Sequence, residues 1–242
     1  MRPIRRNVSD VHYKNYQDAK ADLVSRLGSY CSYCERYISS VLAVEHIQPK
    51  GLAKYSHLEN TCSNFLLSCV NCNSTKKDKD FLLGDVLLPD RDNTSAVFCY
   101  HEDGTIGIHN SFLGTQVEDQ GKNTLSLTGL DKPLNRILDS NGLEVALDRV
   151  AQRVEVYGKA NLALRLYEKE KTKEMIDAVA MIAQSSGYFS IWYRVFLDHP
   201  DVLSVIIKSY PGTFESGCFS NVDGSLISPC PNQDQLEFGG RA

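Results

Sequence analysis

The sequence predicts an α+β protein in which a small cysteine-rich module of mixed local pattern precedes a mainly α-helical region. Three observations carry this reading. Two C-x-x-C pairs, Cys31/Cys34 and Cys69/Cys72, enclose a stretch that is neither cleanly helical nor cleanly alternating. A β-prone stretch from Ser95 to His109 has Asp103-Gly104 at its centre, a dipeptide suited to tight hairpins because such turns need positive φ. Beyond it, apolar residues recur at helical spacing.

Taken in order, Tyr16, Ala19, Leu23 and Leu27 form one face of a short amphipathic helix that Gly28 stops. Residues 110–135 are rich in Gly, Asn, Ser and Thr and read as a surface linker. Leu143, Leu147, Val150, Val154 and Tyr157 then mark a helix of about four turns, and Met175, Val179 and Ile182 a second. Tyr188 to Phe196 and His199 to Tyr210 read as two further buried helices, ended by Pro211-Gly212. The aromatic stripe Phe189, Trp192, Tyr193 and Phe196 reads as core. The tail after Thr213 has little periodicity and is expected to be partly loose. The division that follows is a first module over 1–92, a hairpin extension and linker over 93–135, and a helical region over 136–242.

A chain of 242 residues can bury a real core without relying on staples. No apolar run reaches the roughly 18 residues of a membrane span. Arg2, Arg5 and Arg6 are not followed by the apolar segment of a secretory signal, so the chain is expected in the cytoplasm with its eight cysteines unpaired. The net charge of −4 argues against coating nucleic acid over the whole surface. Residues 1–80, however, hold 12 basic and 8 acidic residues, against 14 and 22 in the remainder. The first third can face phosphates.

A two-residue gap lets both thiolates of a pair reach one ion without straining the backbone, so Cys31, Cys34, Cys69 and Cys72 are read as a closed structural Zn2+ site. A redox C-x-x-C occurs singly near a βαβ pattern, which is lacking here. The remaining cysteines, Cys62, Cys99, Cys218 and Cys230, have no such spacing and receive no role.

Thirty-four residues separate the pairs. They include Val44-Glu45-His46-Ile47-Gln48-Pro49-Lys50 and Asn64, and Asn73-Ser-Thr-Lys76-Lys77 follows the second pair directly. On these residues the segment 31–80 resembles the HNH endonucleases of the ββα-metal type, with asparagine at the third motif position. The finer pattern is most similar to the PtuB-type nucleases of Septu and retron anti-phage systems. It consists of Tyr33-Cys34-Glu35, the Glu45-His46 phrase, the Asp-Gly hairpin and the helical ending Tyr210-Pro211-Gly212-Thr213.

Phosphodiester hydrolysis needs a base that titrates near neutrality and a cation for the charge that develops on phosphate. His46 is the only histidine in the segment with an acidic neighbour and is assigned as general base. Glu45 and Asn73 offer oxygen ligands suited to Mg2+ or Mn2+, and the resemblance implies that they hold the catalytic ion. The resemblance also implies that Asn64 fixes the loop carrying the base. Lys50, Lys76 and Lys77 are candidate nucleic-acid contacts. Adjacent residues on a strand point to opposite faces, so Glu45 and His46 can share one site only at a twist or strand end.

The function expected is a metal-dependent nuclease acting on nucleic acid, DNA rather than RNA, with no membrane association. The resemblance to the PtuB type implies a defence complex with a PtuA-type ATPase. A stand-alone restriction-type nuclease and a non-catalytic zinc-stabilised nucleic-acid-binding adaptor are the alternative readings.

Overall fold

The computed structural model describes residues 1–7, 11–133, 137–138, 140, 144–146 and 148–242. Helix α1 (Ala19–Leu27) buries Ala19, Leu23 and Leu27, one side chain per turn, and ends at Gly28, whose φ of 73° closes the helix. A Cβ at Gly28 would stand 2.7 Å from the Tyr30 ring, so close packing requires glycine as well.

Strand β1 (Ala43–His46) pairs antiparallel with β2 (Phe65–Ser68), placing Glu45 opposite Leu66 and His46 opposite Phe65. Cys69 then caps α2 (Val70–Lys76) through its own sulfur, which accepts from the Cys72 amide at 3.4 Å. This ββα unit rests on α1.

A one-turn helix α3 (Thr94–Val97) leads into the hairpin of β3 (Phe98–Tyr100) and β4 (Ile106–Ile108), with Asp103-Gly104 in its turn. The stretch read as a linker is instead largely helical, since α4 (Gln116–Thr128) packs on α2, α3 and β4. Its inner face is made of Gln120, Gly121, Thr124 and Thr128 alongside Leu125 and Leu127, so the apolar stripe that betrays a helix is diluted. Those polar groups are satisfied locally. The Thr124 hydroxyl accepts from the Leu87 amide at 2.8 Å and donates to its carbonyl at 3.0 Å, and the Gln120 amide donates to the Gly84 carbonyl at 2.7 Å.

Short strands β5 (Ile137–Leu138) and β6 (Glu144–Ala146) pair before the long helix α5 (Arg149–Lys169), whose cap Asp148 accepts from the Val150 and Ala151 amides. The helix predicted from Leu143 therefore begins later and runs longer, while Leu143 and Leu147 lie outside the described residues. Val150 and Tyr157 are buried as expected, Val154 is exposed, and Arg153, Ala160 and Tyr167 complete the buried face. Helices α6 (Lys173–Ser186), α7 (Phe189–Val195) and α8 (Pro200–Ser209) follow as predicted, with α5 on α6 and α7, and α6 on α8. Phe189, Trp192 and Phe196 are fully buried.

The tail after Thr213 is fastened rather than loose. The Asn93 side-chain amide donates to the Cys218 and Ile227 carbonyls, and Asp92 accepts from the Arg241 guanidinium at 3.0 and 3.1 Å. Such long-range polar anchors leave no periodic trace in sequence. The buried apolar cluster takes in residues from Met1 through the cysteine module and the helices to Ala242. Among the described residues no helix is long and apolar enough to cross a membrane.

Candidate functional site

The first cysteine pair sits on a tight knuckle. The Cys31 amide donates to the Arg36 carbonyl and the Glu35 amide to the Cys31 carbonyl, with Glu35 at φ 64°. The second pair caps and opens α2. Together the four sulfurs lie within 4.8 Å of one another, all buried, and Cys34 and Cys69 are 3.7 Å apart. Tetrahedral thiolates at about 2.3 Å from zinc stand about 3.8 Å apart. The site fits a structural zinc ion.

Zinc with four thiolates carries a net negative charge, and the fold supplies cations for it. An Arg149 Nη donates to Cys72 Sγ at 3.4 Å and to the Thr128 carbonyl at 2.9 Å. Arg36 is nearby as well: burial lowers its pKa, but the thiolates of Cys34 and Cys69 outweigh that and push it up.

Inside the zinc-tied loop, His46 ends β1 and its ring is wedged between Tyr16 and Phe65, with centroids 4.8 and 5.1 Å away, both edge-on. Its Nε2 stands 2.8 Å from the Glu59 carbonyl oxygen. A carbonyl can only accept, so Nε2 carries the proton and the lone pair of the neutral ring is on Nδ1. Burial lowers the His46 pKa, which keeps that lone pair available near neutral pH.

Asn64 straps the loop behind this histidine. Its Oδ1 accepts from the Gln48 amide at 2.8 Å, and its Nδ2 donates to the Gln48 carbonyl at 2.9 Å. The Asn64 carbonyl accepts from the Ile47 amide at 2.8 Å. Arg6, fully buried and paired with Asp90 at 2.6 Å, donates to the Cys62, Ser63 and Phe65 carbonyls on either side of Asn64.

Residues 31–79 match the family model for HNH endonuclease. This segment is an HNH endonuclease domain. It makes the chain a nuclease, a hydrolase of phosphodiester bonds. No curated protein matches the chain.

Within the HNH domain, Glu45 and His46 diverge as neighbours on a strand must. The Glu45 carboxylate is buried, accepting from the Tyr33 hydroxyl at 2.6 Å and pairing with the Lys76 ammonium at 2.8 Å. Burial raises the Glu45 pKa and Lys76 pulls it back. Lys76 also donates to the His46 carbonyl at 2.7 Å. Only 1% exposed, Lys76 faces inward and is not placed to contact nucleic acid, contrary to the expectation from its position in a charged run. The charge run hid the fact that α2 turns this one lysine onto β1.

Asn73 lies half-buried on α2, one turn before Lys76 and so on the same side of the helix. Glu45 and Asn73 carry the hard oxygens that Mg2+ or Mn2+ takes. Glu45 is 2% exposed and both its carboxylate oxygens are held, one by Lys76 at 2.8 Å and the other by Tyr33 at 2.6 Å, so a divalent ion at Glu45 would have to displace one of these partners. Lys50 sits at the histidine's edge, its ammonium 3.9 Å from the Tyr16 ring centroid and 3.1 Å from the Glu59 carboxylate. Lys77 is exposed at the end of α2. Sequence reasoning missed Tyr33, Tyr16, Glu59, Arg6 and Arg149. Tyr16 stood on the predicted helix face and Tyr33 in the Tyr33-Cys34-Glu35 phrase, though neither was assigned to the site; Glu59, Arg6 and Arg149 carry no pattern that points to it.

Proposed function

We propose that His46 is the general base of the nuclease, taking a proton from the attacking water at Nδ1 while Nε2 stays hydrogen-bonded to Glu59. The observation that supports it is the His46 Nε2 to Glu59 carbonyl contact of 2.8 Å, which fixes tautomer and ring orientation together. Asn64 positions the base by closing the loop around Gln48. Glu45 and Asn73 would hold the divalent ion. The chemistry such an ion supplies when bound is stabilisation of charge on the phosphate and the leaving oxygen. Lys50 and Lys77 are the phosphate contacts that remain, and they position the backbone without reading sequence.

The wider reading is a cytoplasmic PtuB-type effector of an anti-phage defence complex that cuts DNA under control of a PtuA-type ATPase. Its support is the sequence pattern, together with an apolar face on the helical region where Leu162 and Leu166 of α5 and Met181 and Ile182 of α6 are exposed.

The test uses the full zinc-loaded chain, alone and with a co-expressed PtuA-type ATPase, offered DNA and RNA separately with Mg2+ or Mn2+. His46→Ala is expected to abolish cleavage and keep zinc. Undiminished cutting would remove His46 from the mechanism. Gel filtration with and without the ATPase separates a complex from a stand-alone restriction-type nuclease, and cleavage of RNA in place of DNA would overturn the substrate assignment.

A further inference from the structure

Cys218 and Cys230 were given no role by their spacing, yet the tail folds so that their sulfurs stand 3.4 Å apart, with Cys218 wholly buried and Cys230 8% exposed. The contact is directional. The Cys218 thiol donates to the Cys230 sulfur, and the Asn232 amide donates to that same sulfur at 3.4 Å. Two donors converging on one sulfur favour its thiolate. In agreement, the hydrogen bond from Cys218 leads the effects that draw the Cys230 pKa down, while the same contact pushes Cys218 up.

Both cysteines line a cleft of about 10 Å³ together with Arg5, Asp90 and Asn232, roughly the room of one water molecule. The other cysteines offer no comparable pair. Four form the zinc cluster, and Cys62 and Cys99 have no thiol partner among the described residues.

We propose that Cys218 and Cys230 are a peroxide-oxidisable dithiol, with Cys230 the attacking thiolate and Cys218 the resolving thiol. The Cys230 sulfur attacks one oxygen of hydrogen peroxide; an S–O bond forms, the O–O bond breaks, and the departing hydroxide takes a proton to leave as water. The Cys218 sulfur then attacks the Cys230 sulfur. An S–S bond forms, the S–O bond breaks, and hydroxide leaves as water with the Cys218 proton. Both sulfurs are oxidised by one electron each and the peroxide oxygens are reduced, so two thiols and one peroxide give one disulfide and two waters.

The disulfide fastens a tail segment already gripped at both ends of its turn, since Asn93 binds the Cys218 and Ile227 carbonyls and the Cys230 amide donates to the Ala242 carbonyl. Oxidation would draw the two sulfurs from 3.4 Å to bonding distance within a segment that these hydrogen bonds already hold.

The experiment treats the full zinc-loaded chain with graded hydrogen peroxide, follows zinc release with a chromogenic chelator, then unfolds the chain in N-ethylmaleimide so that every free thiol is blocked and maps peptides without reductant. The expected result is a disulfide-linked peptide pair containing Cys218 and Cys230, formed before zinc is released, reversed by dithiothreitol and accompanied by a raised thermal midpoint. Cys218→Ser is expected to leave Cys230 as a sulfenic acid that dimedone labels, and Cys230→Ser to leave Cys218 free for alkylation. The proposal is overturned if both cysteines stay alkylatable while the zinc cysteines oxidise. It is overturned equally if Cys230 passes to sulfinic acid with Cys218 unreacted, or if dimedone fails to label Cys218→Ser.

Discussion

The Lys76 ammonium stands 2.8 Å from the Glu45 carboxylate, with both side chains shut away from water. This pair ties the third element of the ββα unit to the first. It also directs Lys76 to the His46 carbonyl, so the histidine's backbone is braced from α2 while its ring is held by Tyr16, Phe65 and Glu59.

Removing one member of such a pair leaves an uncompensated buried charge, which costs about 3–5 kcal/mol. Lys76→Met is therefore expected to lower the unfolding free energy by about that much in urea titrations, and pairing it with Glu45→Gln should recover part of the loss. A change below about 1 kcal/mol, in the range of exposed ion pairs, would mean that Lys76 reaches solvent and is free to bind phosphate.

Stability should respond to pH through Asp92. Burial pushes its pKa up to about 6 from an ordinary 3.8, against the pull of Arg241 and the Leu88 amide. A carboxyl whose folded pKa is raised holds its proton more tightly in the folded state. Its contribution is then fully present below the unfolded pKa and is lost as pH rises through the folded value. The loss is on the order of 3 kcal/mol between about pH 4 and 6. Asp92→Asn should flatten that part of the profile, measured by denaturation across pH. An unchanged slope would show that Asp92 ionises normally.

Zinc removal should reach beyond the cysteines. Arg149 joins Cys72 to the Thr128 and Gly129 carbonyls at the end of α4, so chelation or Cys69→Ser is expected to lower the melting temperature and to speed amide exchange at the start of α5 as well as in residues 31–36. Loss of protection confined to the knuckle would show that the helical region does not lean on the metal centre.

Much of this architecture was legible along the chain. The C-x-x-C spacing predicted one sulfur cluster, the Asp103-Gly104 turn predicted its hairpin, and the apolar stripes of α1, α6, α7 and α8 showed as helical periodicity. Helix α4 escaped because its inward face is Gln, Gly and Thr, whose burial depends on hydrogen bonds to Gly84 and Leu87 rather than on apolar area. The tail escaped because what holds it, Asn93, Asp92 and the Arg241 guanidinium, acts between residues more than a hundred positions apart.

The sequence by itself determined the chemistry at hand: four thiols spaced for one zinc ion, and a histidine and hard-oxygen donors gathered by a short motif. Tertiary structure decided how each group is used. Glu45 and His46 are neighbours in the chain, but strand geometry sends one to Lys76 and Tyr33 and the other into an aromatic slot with its Nε2 on Glu59. Two lysines adjacent in one charged run part in the same way, Lys76 inward and Lys77 to solvent. Spacing specifies which atoms can meet one ion or one turn of helix, because those distances are local. Whether a charge meets a counter-ion, a carbonyl or water depends on which other element folds over it.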